Sequence, residues 1–90
     1  MRQRGRVDRN QTEIVRALRS AGVSVCIASN LGNGAPDLIC GYRLRTYLLE
    51  LKSEGGRLTI QERTWQNRWR GHVLTVRTPK EALIAVGAIQ

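Results

Sequence analysis

Three helix-start signals restrict the order of elements in this chain more than any other feature. Each is an Asn or Thr followed three residues later by Glu, so that the first side chain accepts from the N3 amide and the carboxylate reaches back. The three pairs are Asn10–Glu13, Thr59–Glu62 and Thr78–Glu81. A glycine, which commonly ends a helix, follows each start at position 22, 71 or 87. The pattern predicts helices over residues 10–21, 59–70 and 79–86.

Four apolar, β-prone segments lie between these helices and are predicted to be strands. They cover residues 23–28, 37–42, 45–52 and 73–77. The order is then αβββαβα. The last two strands flank a helix and should run parallel, whereas the other neighbouring strands should be antiparallel. We therefore expect an α/β fold, with a mixed four-stranded sheet flanked by helices in one domain over residues 10–90.

The charge of the chain favours a polyanionic partner. The net charge is +8, and only two of the fifteen basic residues are Lys. Because the planar Arg guanidinium matches phosphate oxygens two at a time, nucleic acid is expected before an anionic membrane surface. Residues 1–9 are predicted to form a flexible basic arm, which either touches a DNA backbone or is only solvated. Its arginines are Arg2, Arg4, Arg6 and Arg9.

Neither a membrane span nor a disulfide framework is indicated. No apolar run approaches the roughly 18 residues that cross a bilayer, and no signal peptide is recognisable. Cys26 and Cys40 are far apart in sequence, form no CxxC pair, and are expected to be buried free thiols. These features predict a protein of the reducing cytoplasm.

The segment Tyr47–Lys52 carries the charges that most need explaining. Alternate residues of a strand share a face, so Glu50 and Lys52 point to one side and the neighbouring leucines to the other. Burying charge in an apolar strand is costly unless the charge is paired or binds a metal. The alternative without a functional role is a Glu–Lys surface pair on an exposed sheet face.

Strand pairing predicts a second carboxylate beside Glu50. If Arg43 and Leu44 form the centre of a hairpin, Tyr42 faces Arg45, and Asp37 falls opposite Glu50. Arg43-Leu44 lacks the Asn and Gly of common tight turns, but a four-residue loop with the same centre gives the same pairing. Directly opposite side chains have Cβ atoms about 4.5–5.5 Å apart. Two carboxylates this close repel each other unless a cation separates them, and hard oxygen ligands suit Mg²⁺ or Mn²⁺.

These residues resemble the signature of the PD-(D/E)XK nucleases. Pro36-Asp37 is followed, after twelve residues, by Glu50-Leu51-Lys52, and the αβββαβ order is similar to the core of that superfamily. Glu13 on the first helix and Gln61 just after the ExK strand make the chain resemble more narrowly the stand-alone VRR-NUC domains of phages and bacteria. Archaeal Holliday-junction resolvases are wider relatives. The resemblance covers about residues 10–87.

The resemblance implies a role for each matching residue. Asp37, Glu50 and the backbone carbonyl of Leu51 would bind Mg²⁺ or Mn²⁺, and Lys52 would position the attacking water. Gln61 and Glu13 would support the site, although capping of the first helix alone explains Glu13. Related small homodimers cut four-way DNA junctions, so the expected activity is a metal-dependent endonuclease of branched DNA in a bacterial cell or a phage-infected host.

The remaining expectations concern DNA contacts, assembly and rival functions. Contacts with DNA are predicted for Ser29, in the Gly/Asn-rich loop before Asp37, and for Arg63 and Arg68. Trp65 and Trp69 share a helix face and are expected in the core or at a dimer interface. Two other functions stay open: a flap or nicking endonuclease of the same fold, and a non-catalytic basic DNA-binding module.

Overall fold

Seven main elements form in the predicted order αβββαβα. The computed structural model describes residues 4–90, with side chains from residue 10 onward. The helices are α1 (Arg4–Ser20), α2 (Ile60–Arg68) and α3 (Pro79–Ala85), and the strands are β1 (Ser24–Ile27), β2 (Leu38–Tyr42), β3 (Arg45–Leu51) and β4 (Leu74–Val76). A short 3₁₀ helix, Ser29–Leu31, follows β1.

The predicted start of the first helix is wrong. α1 begins at Arg4, so residues 4–9, which were expected to belong to an arm, are helical. Asn10 therefore lies inside the helix, where it does not cap it. Its side-chain amide donates instead to the backbone carbonyl of Lys52, at 3.3 Å. Residues 1–3, including Arg2, lie outside the described residues.

The sheet is mixed, as predicted. Its strand order is β1-β2-β3-β4. β1 with β2 and β2 with β3 pair antiparallel, whereas β3 and β4 pair parallel across the connection that contains α2. Because β3 lies between β2 and β4, the strand that carries Glu50 is internal and its backbone is fixed on both sides.

The β2–β3 hairpin has the predicted register. Tyr42 pairs with Arg45, and Leu38 pairs with Leu49. The two turn residues, Arg43 and Leu44, both have positive φ values, 53° and 67°. This is the conformation of a type I′ turn, whose twist matches that of the strands but which usually takes Asn and Gly. The register is therefore held against unfavourable turn residues by the pairing and the core contacts of the two strands.

The core lies between one face of the sheet and helices α1 and α3. It is built from Ile14, Val15, Leu18, Val23, Leu38, Cys40, Leu49, Val76, Ala82 and Val86. Of the residues of α2, all of which the structure describes, none is buried. α2 is therefore held by polar contacts and partly buried side chains, which matters because it carries part of the candidate site.

Two expectations about burial need correction. Both cysteines carry free thiols, but only Cys40 is buried and Cys26 is exposed. Cys40 pairs with Val25, the neighbour of Cys26 on β1, and adjacent residues of a strand face opposite sides of the sheet. Trp65 and Trp69 are not part of the buried core, and their place at a dimer interface stays a prediction. Within the described residues, no helix is long and apolar enough to cross a membrane.

Candidate active site

Glu50 is the buried polar residue of the sheet. Only 2% of it is exposed. Its Oε1 atom is buried and has no hydrogen-bond partner among the described residues. An unsatisfied buried carboxylate oxygen is destabilising. A hydrogen-bond donor or a cation at Oε1 would remove this cost. The alternative of a surface Glu–Lys pair is excluded by this burial.

Asp37 is fixed next to Glu50 by the backbone of the neighbouring strands. Its amide donates to the carbonyl of Leu49 at 3.1 Å, and because Leu49 already pairs with Leu38, the regular hairpin pairing ends at Leu38. Its carbonyl accepts from the amide of Ala28 at 2.7 Å. Its Oδ2 accepts from the amide of Leu51 at 2.8 Å. The Asp37 carboxylate is thus aimed along β3, on the side where Glu50 lies.

The surroundings of Glu50 favour its neutral form. Burial raises its pKa to about 9, with further increases from the negative charges of Asp37 and Glu62 and from a hydrogen bond shared with Glu62. The positive charge of Lys52 acts in the opposite direction but is outweighed. Without a bound cation, Glu50 is therefore protonated at neutral pH, and its proton is the charge that a cation would replace.

Lys52 lies between the carboxyl groups of Glu62 and Glu50. Its Nζ lies 2.8 Å from Glu62 Oε1 and 3.8 Å from Glu50 Oε2. Its backbone is fixed as well, because its amide donates to Val76 O at 3.1 Å and its carbonyl accepts from Asn10. The ammonium group therefore has a defined position next to Glu50 Oε2.

Glu62 is the site residue that the sequence did not reveal. It completes the capping box of α2: Thr59 Oγ1 accepts from the Glu62 amide, and Glu62 Oε1 accepts from the Thr59 amide at 2.8 Å. Burial alone would raise the pKa of Glu62. The hydrogen bonds from Lys52 and the Thr59 amide and the charge of Lys52 outweigh burial, so the pKa is lowered and Glu62 stays ionised.

Gln61, predicted as a supporting residue, is exposed at the start of α2. Its backbone packs against the Gly-rich loop that precedes Asp37: a Cβ atom at Gly34 would overlap with the Gln61 carbonyl group. Gly34 also has a φ of 85°, which disfavours other residues. The next residue, Glu62, contacts Lys52, and the supporting role of Gln61 stays a prediction.

The other predicted supporting residues lie nearby but outside this cluster. Glu13 is exposed on α1, three residues after Asn10 and hence on the same side of the helix. Leu51 contributes its amide to Asp37, and the role of its carbonyl stays a prediction. Ser29 donates its hydroxyl proton to Gln11 Oε1 at 2.7 Å, which ties the loop to α1.

The predicted DNA-binding arginines are spread over two elements. Arg63 and Arg68 are exposed on α2, the helix that also carries Glu62. The positions of Arg4, Arg6 and Arg9 lie in the first turns of α1, and their side chains lie outside the described part of the chain. Contacts between any of these residues and DNA stay predictions.

A divalent cation fits the acidic part of the cluster. Among the described residues, no group of three or more His, Cys, Asp or Glu side chains is arranged to hold a metal ion. Mg²⁺, however, is usually held by one or two carboxylates and takes its other ligands from water and phosphate. Asp37 and the unsatisfied Oε1 of Glu50 provide such a pair, whereas Glu62 is occupied by Lys52.

Comparisons of the chain with protein-family models, with curated proteins and with solved structures found no match. The resemblance to PD-(D/E)XK nucleases therefore stays a prediction from the motif. Function is therefore inferred from the geometry of Asp37, Glu50, Lys52 and Glu62.

Proposed function

We propose that this chain is a divalent-metal-dependent DNA endonuclease that hydrolyses phosphodiester bonds in branched DNA. The observation that carries the proposal is the buried Glu50 carboxyl group, whose Oε1 has no hydrogen-bond partner among the described residues while Asp37 and Lys52 lie beside it. A cluster of two carboxyl groups and a lysine at the end of a hairpin is suited to phosphoryl chemistry. The net charge of +8 supports a polyanionic substrate.

Each residue of the cluster has a role in this proposal. Asp37 and Glu50 would hold Mg²⁺ or Mn²⁺, and Glu50 would lose its proton when the cation enters. A bound divalent cation supplies Lewis-acid activation of water and offsets charge on the phosphate. Lys52 presents a fixed positive charge to the phosphate oxygens or orients the attacking water. Glu62 fixes the position of the Lys52 ammonium group, whose Nζ lies 2.8 Å from Glu62 Oε1.

The rival functions make different use of these residues. A non-catalytic DNA-binding module has no need for a buried carboxylate pair, since negative charge near phosphate weakens binding. A flap or nicking endonuclease would use the same cluster on another DNA structure. Four-way junctions are proposed first because of the resemblance to junction resolvases, and the comparison of substrates decides between these enzymes.

The decisive experiment is cleavage of labelled four-way junction, flap and duplex DNA with Mg²⁺ and with EDTA. We expect junction cleavage that needs the metal, and loss of cleavage by at least about a hundredfold in Glu50→Gln, because one cation ligand is removed. Glu54→Gln is the matched control, since Glu54 is exposed in the turn after β3. Equal cleavage by Glu50→Gln and Glu54→Gln, or cleavage that persists in EDTA, would contradict the proposal.

A further inference from the structure

Beside the candidate active site lies an open cavity of about 800 Å³, on the surface of α2. This volume is within the range of roughly 300–1,000 Å³ that is typical of ligand pockets. Its apolar part is formed by Ile60, Trp65 and Trp69, of which Ile60 is 85% and Trp69 44% exposed. Large apolar side chains left open to solvent in this way mark a binding surface more often than a scattered single residue does.

The two tryptophans form a ready stacking platform. Their rings are stacked, with centroids 4.7 Å apart and planes inclined by 19°. The indole edge of Trp69 lies against Gly71, where a Cβ atom would come within 2.9 Å of Nε1. The backbone amide of Trp69 donates to the carbonyls of Trp65 and Gln66. The ring of Trp69 is therefore held in place although nearly half of the residue is exposed.

The polar part of the cavity suits a nucleotide. Arg68 lines it, and none of the described residues that line it is acidic. The acidic residue of α2, Glu62, is paired with Lys52 instead. The amide and hydroxyl side chains of Asn33, Gln61 and Thr64 can donate to or accept from the edge of a base. A cationic guanidinium beside an aromatic stack is the combination that binds single-stranded nucleic acid.

The cavity is also close enough to the cluster to act on the same substrate. Thr59 and Gln61 line it, and Glu62, the next residue along the chain, contacts Lys52. About one helical turn separates Trp65 from Glu62 on α2. Glu62 in turn contacts the candidate catalytic lysine. In a duplex, both faces of each base are covered by neighbouring bases, so only an unpaired base offers a face to a tryptophan.

We propose that the Trp65–Trp69 cavity binds an unpaired base of the DNA substrate, next to the phosphate presented to Lys52. The proposal deepens the nuclease function proposed above and rests on DNA being the ligand. It gives a physical reason for a preference for branched or frayed DNA over a continuous duplex, because stacking of an extruded base offsets the cost of unpairing it.

The test uses the intrinsic fluorescence of the protein, because the chain contains only two tryptophans and both lie in this cavity. A single-stranded oligothymidylate, an oligomer of the same length with abasic sites, and a blunt duplex are titrated in EDTA, where no cleavage occurs. We expect strong quenching by the oligothymidylate and little by the abasic oligomer, which carries the same phosphates. Equal quenching by these two oligomers would overturn the proposal.

Variants separate stacking from charge. Trp69→Ala should weaken oligothymidylate binding, measured by anisotropy of a labelled strand, by about 5- to 150-fold, as expected for loss of one base–aromatic stack. Trp69→Phe should restore most of the affinity. Arg45→Ala, at the exposed start of β3, is the control that removes a charge away from the cavity. Equal losses in Trp69→Ala and Arg45→Ala would overturn the proposal.

The outcomes also distinguish this proposal from the nuclease proposal. Quenching without cleavage of any DNA would contradict the nuclease activity alone, and cleavage without base-dependent quenching would contradict the cavity alone. If light scattering shows a dimer that Trp69→Ala dissociates, the platform is an interface between two copies of the chain, and the base-binding proposal is wrong.

Discussion

Glu50 shows how one residue can be costly to the fold and useful to the site. Its burial and its carboxylate neighbours raise its pKa to about 9, from an ordinary value of 4.5. Between these two values the folded protein keeps a proton that the unfolded chain has lost. The free energy of unfolding must therefore fall as the pH rises through this interval, and levels off once Glu50 is ionised in both states.

This pH dependence can be measured on the metal-free protein. In urea unfolding followed between pH about 4.5 and about 9, Glu50 should lower the free energy of unfolding by up to about 1.4 kcal/mol for each pH unit. Glu50→Gln should remove this contribution, because Gln has no proton to lose, and Glu54→Gln should keep it. Parallel profiles for the wild type and Glu50→Gln would show that Glu50 is ionised throughout.

At the scale of elements, two helices begin with the same chemistry but only one of them serves the site. Thr59 and Thr78 each accept a hydrogen bond from the N3 amide of their helix, at 3.1 Å in both cases. Glu81 turns to the amide of Arg77, whereas Glu62 contacts the Thr59 amide and Lys52 together. The cap of α2 therefore fixes the carboxylate that positions the candidate catalytic lysine.

The two caps form a matched pair for a test. Thr59→Ala and Thr78→Ala should each lower the free energy of unfolding by about 0.5–2 kcal/mol, the usual contribution of an N-cap. Only Thr59→Ala should also slow junction cleavage, by about tenfold or more, because the first turn of α2, which carries Glu62, loses the side-chain bond that caps it. Stability is measured by urea unfolding and cleavage by single-turnover rates. Equal cleavage rates in the two variants would rule out a positioning role for the cap.

Local patterns were sufficient to predict the elements and the hairpin register. The capping pairs of α2 and α3 and the alternation around Glu50 act within a few residues, so the sequence contains the whole signal. The start of α1 was missed because the partner of the Asn10 side chain, Lys52 O, lies 42 residues away in sequence. Glu62 was missed for the same reason, since its capping role explained it locally and its contact with Lys52 is tertiary. The i, i+4 spacing correctly placed Trp65 and Trp69 on one face of the helix. Whether that face packs against the core depends on tertiary structure, which the spacing does not contain.

At the scale of the whole molecule, burial decides which apolar residues are available to the dimer interface expected from the sequence. Of the apolar residues near the C-terminal end, Val86 is buried and Leu83 packs against the core. Ile84 and Ile89, near the C-terminus, remain exposed at 45% and 40%. A four-way junction needs two cuts, and a two-fold dimer presents two equivalent sites through one self-complementary patch.

The prediction is a homodimer of the 10.1 kDa chain that depends on Ile84. Light scattering at micromolar concentration should give twice the mass of one chain, and Ile84→Lys should shift it to the monomer because a charge would be buried at the interface. Leu44→Lys, at the fully exposed hairpin tip, is the matched control. A wild-type monomer that leaves only single-strand nicks would instead indicate a nicking or flap endonuclease.

The double duty of Glu62 has a thermodynamic consequence for the helix that it begins. One carboxylate oxygen, Oε1, accepts from the first amide of the cap and contacts the lysine ammonium. Whatever draws Lys52 away, such as a phosphate, must therefore change the free energy of opening of the first turn of α2, and by reciprocity the state of that turn must change the affinity for the phosphate. Binding of a phosphate at the site should therefore change the hydrogen-exchange rates of the Thr59 and Glu62 amides. These rates can be measured without any cleavage.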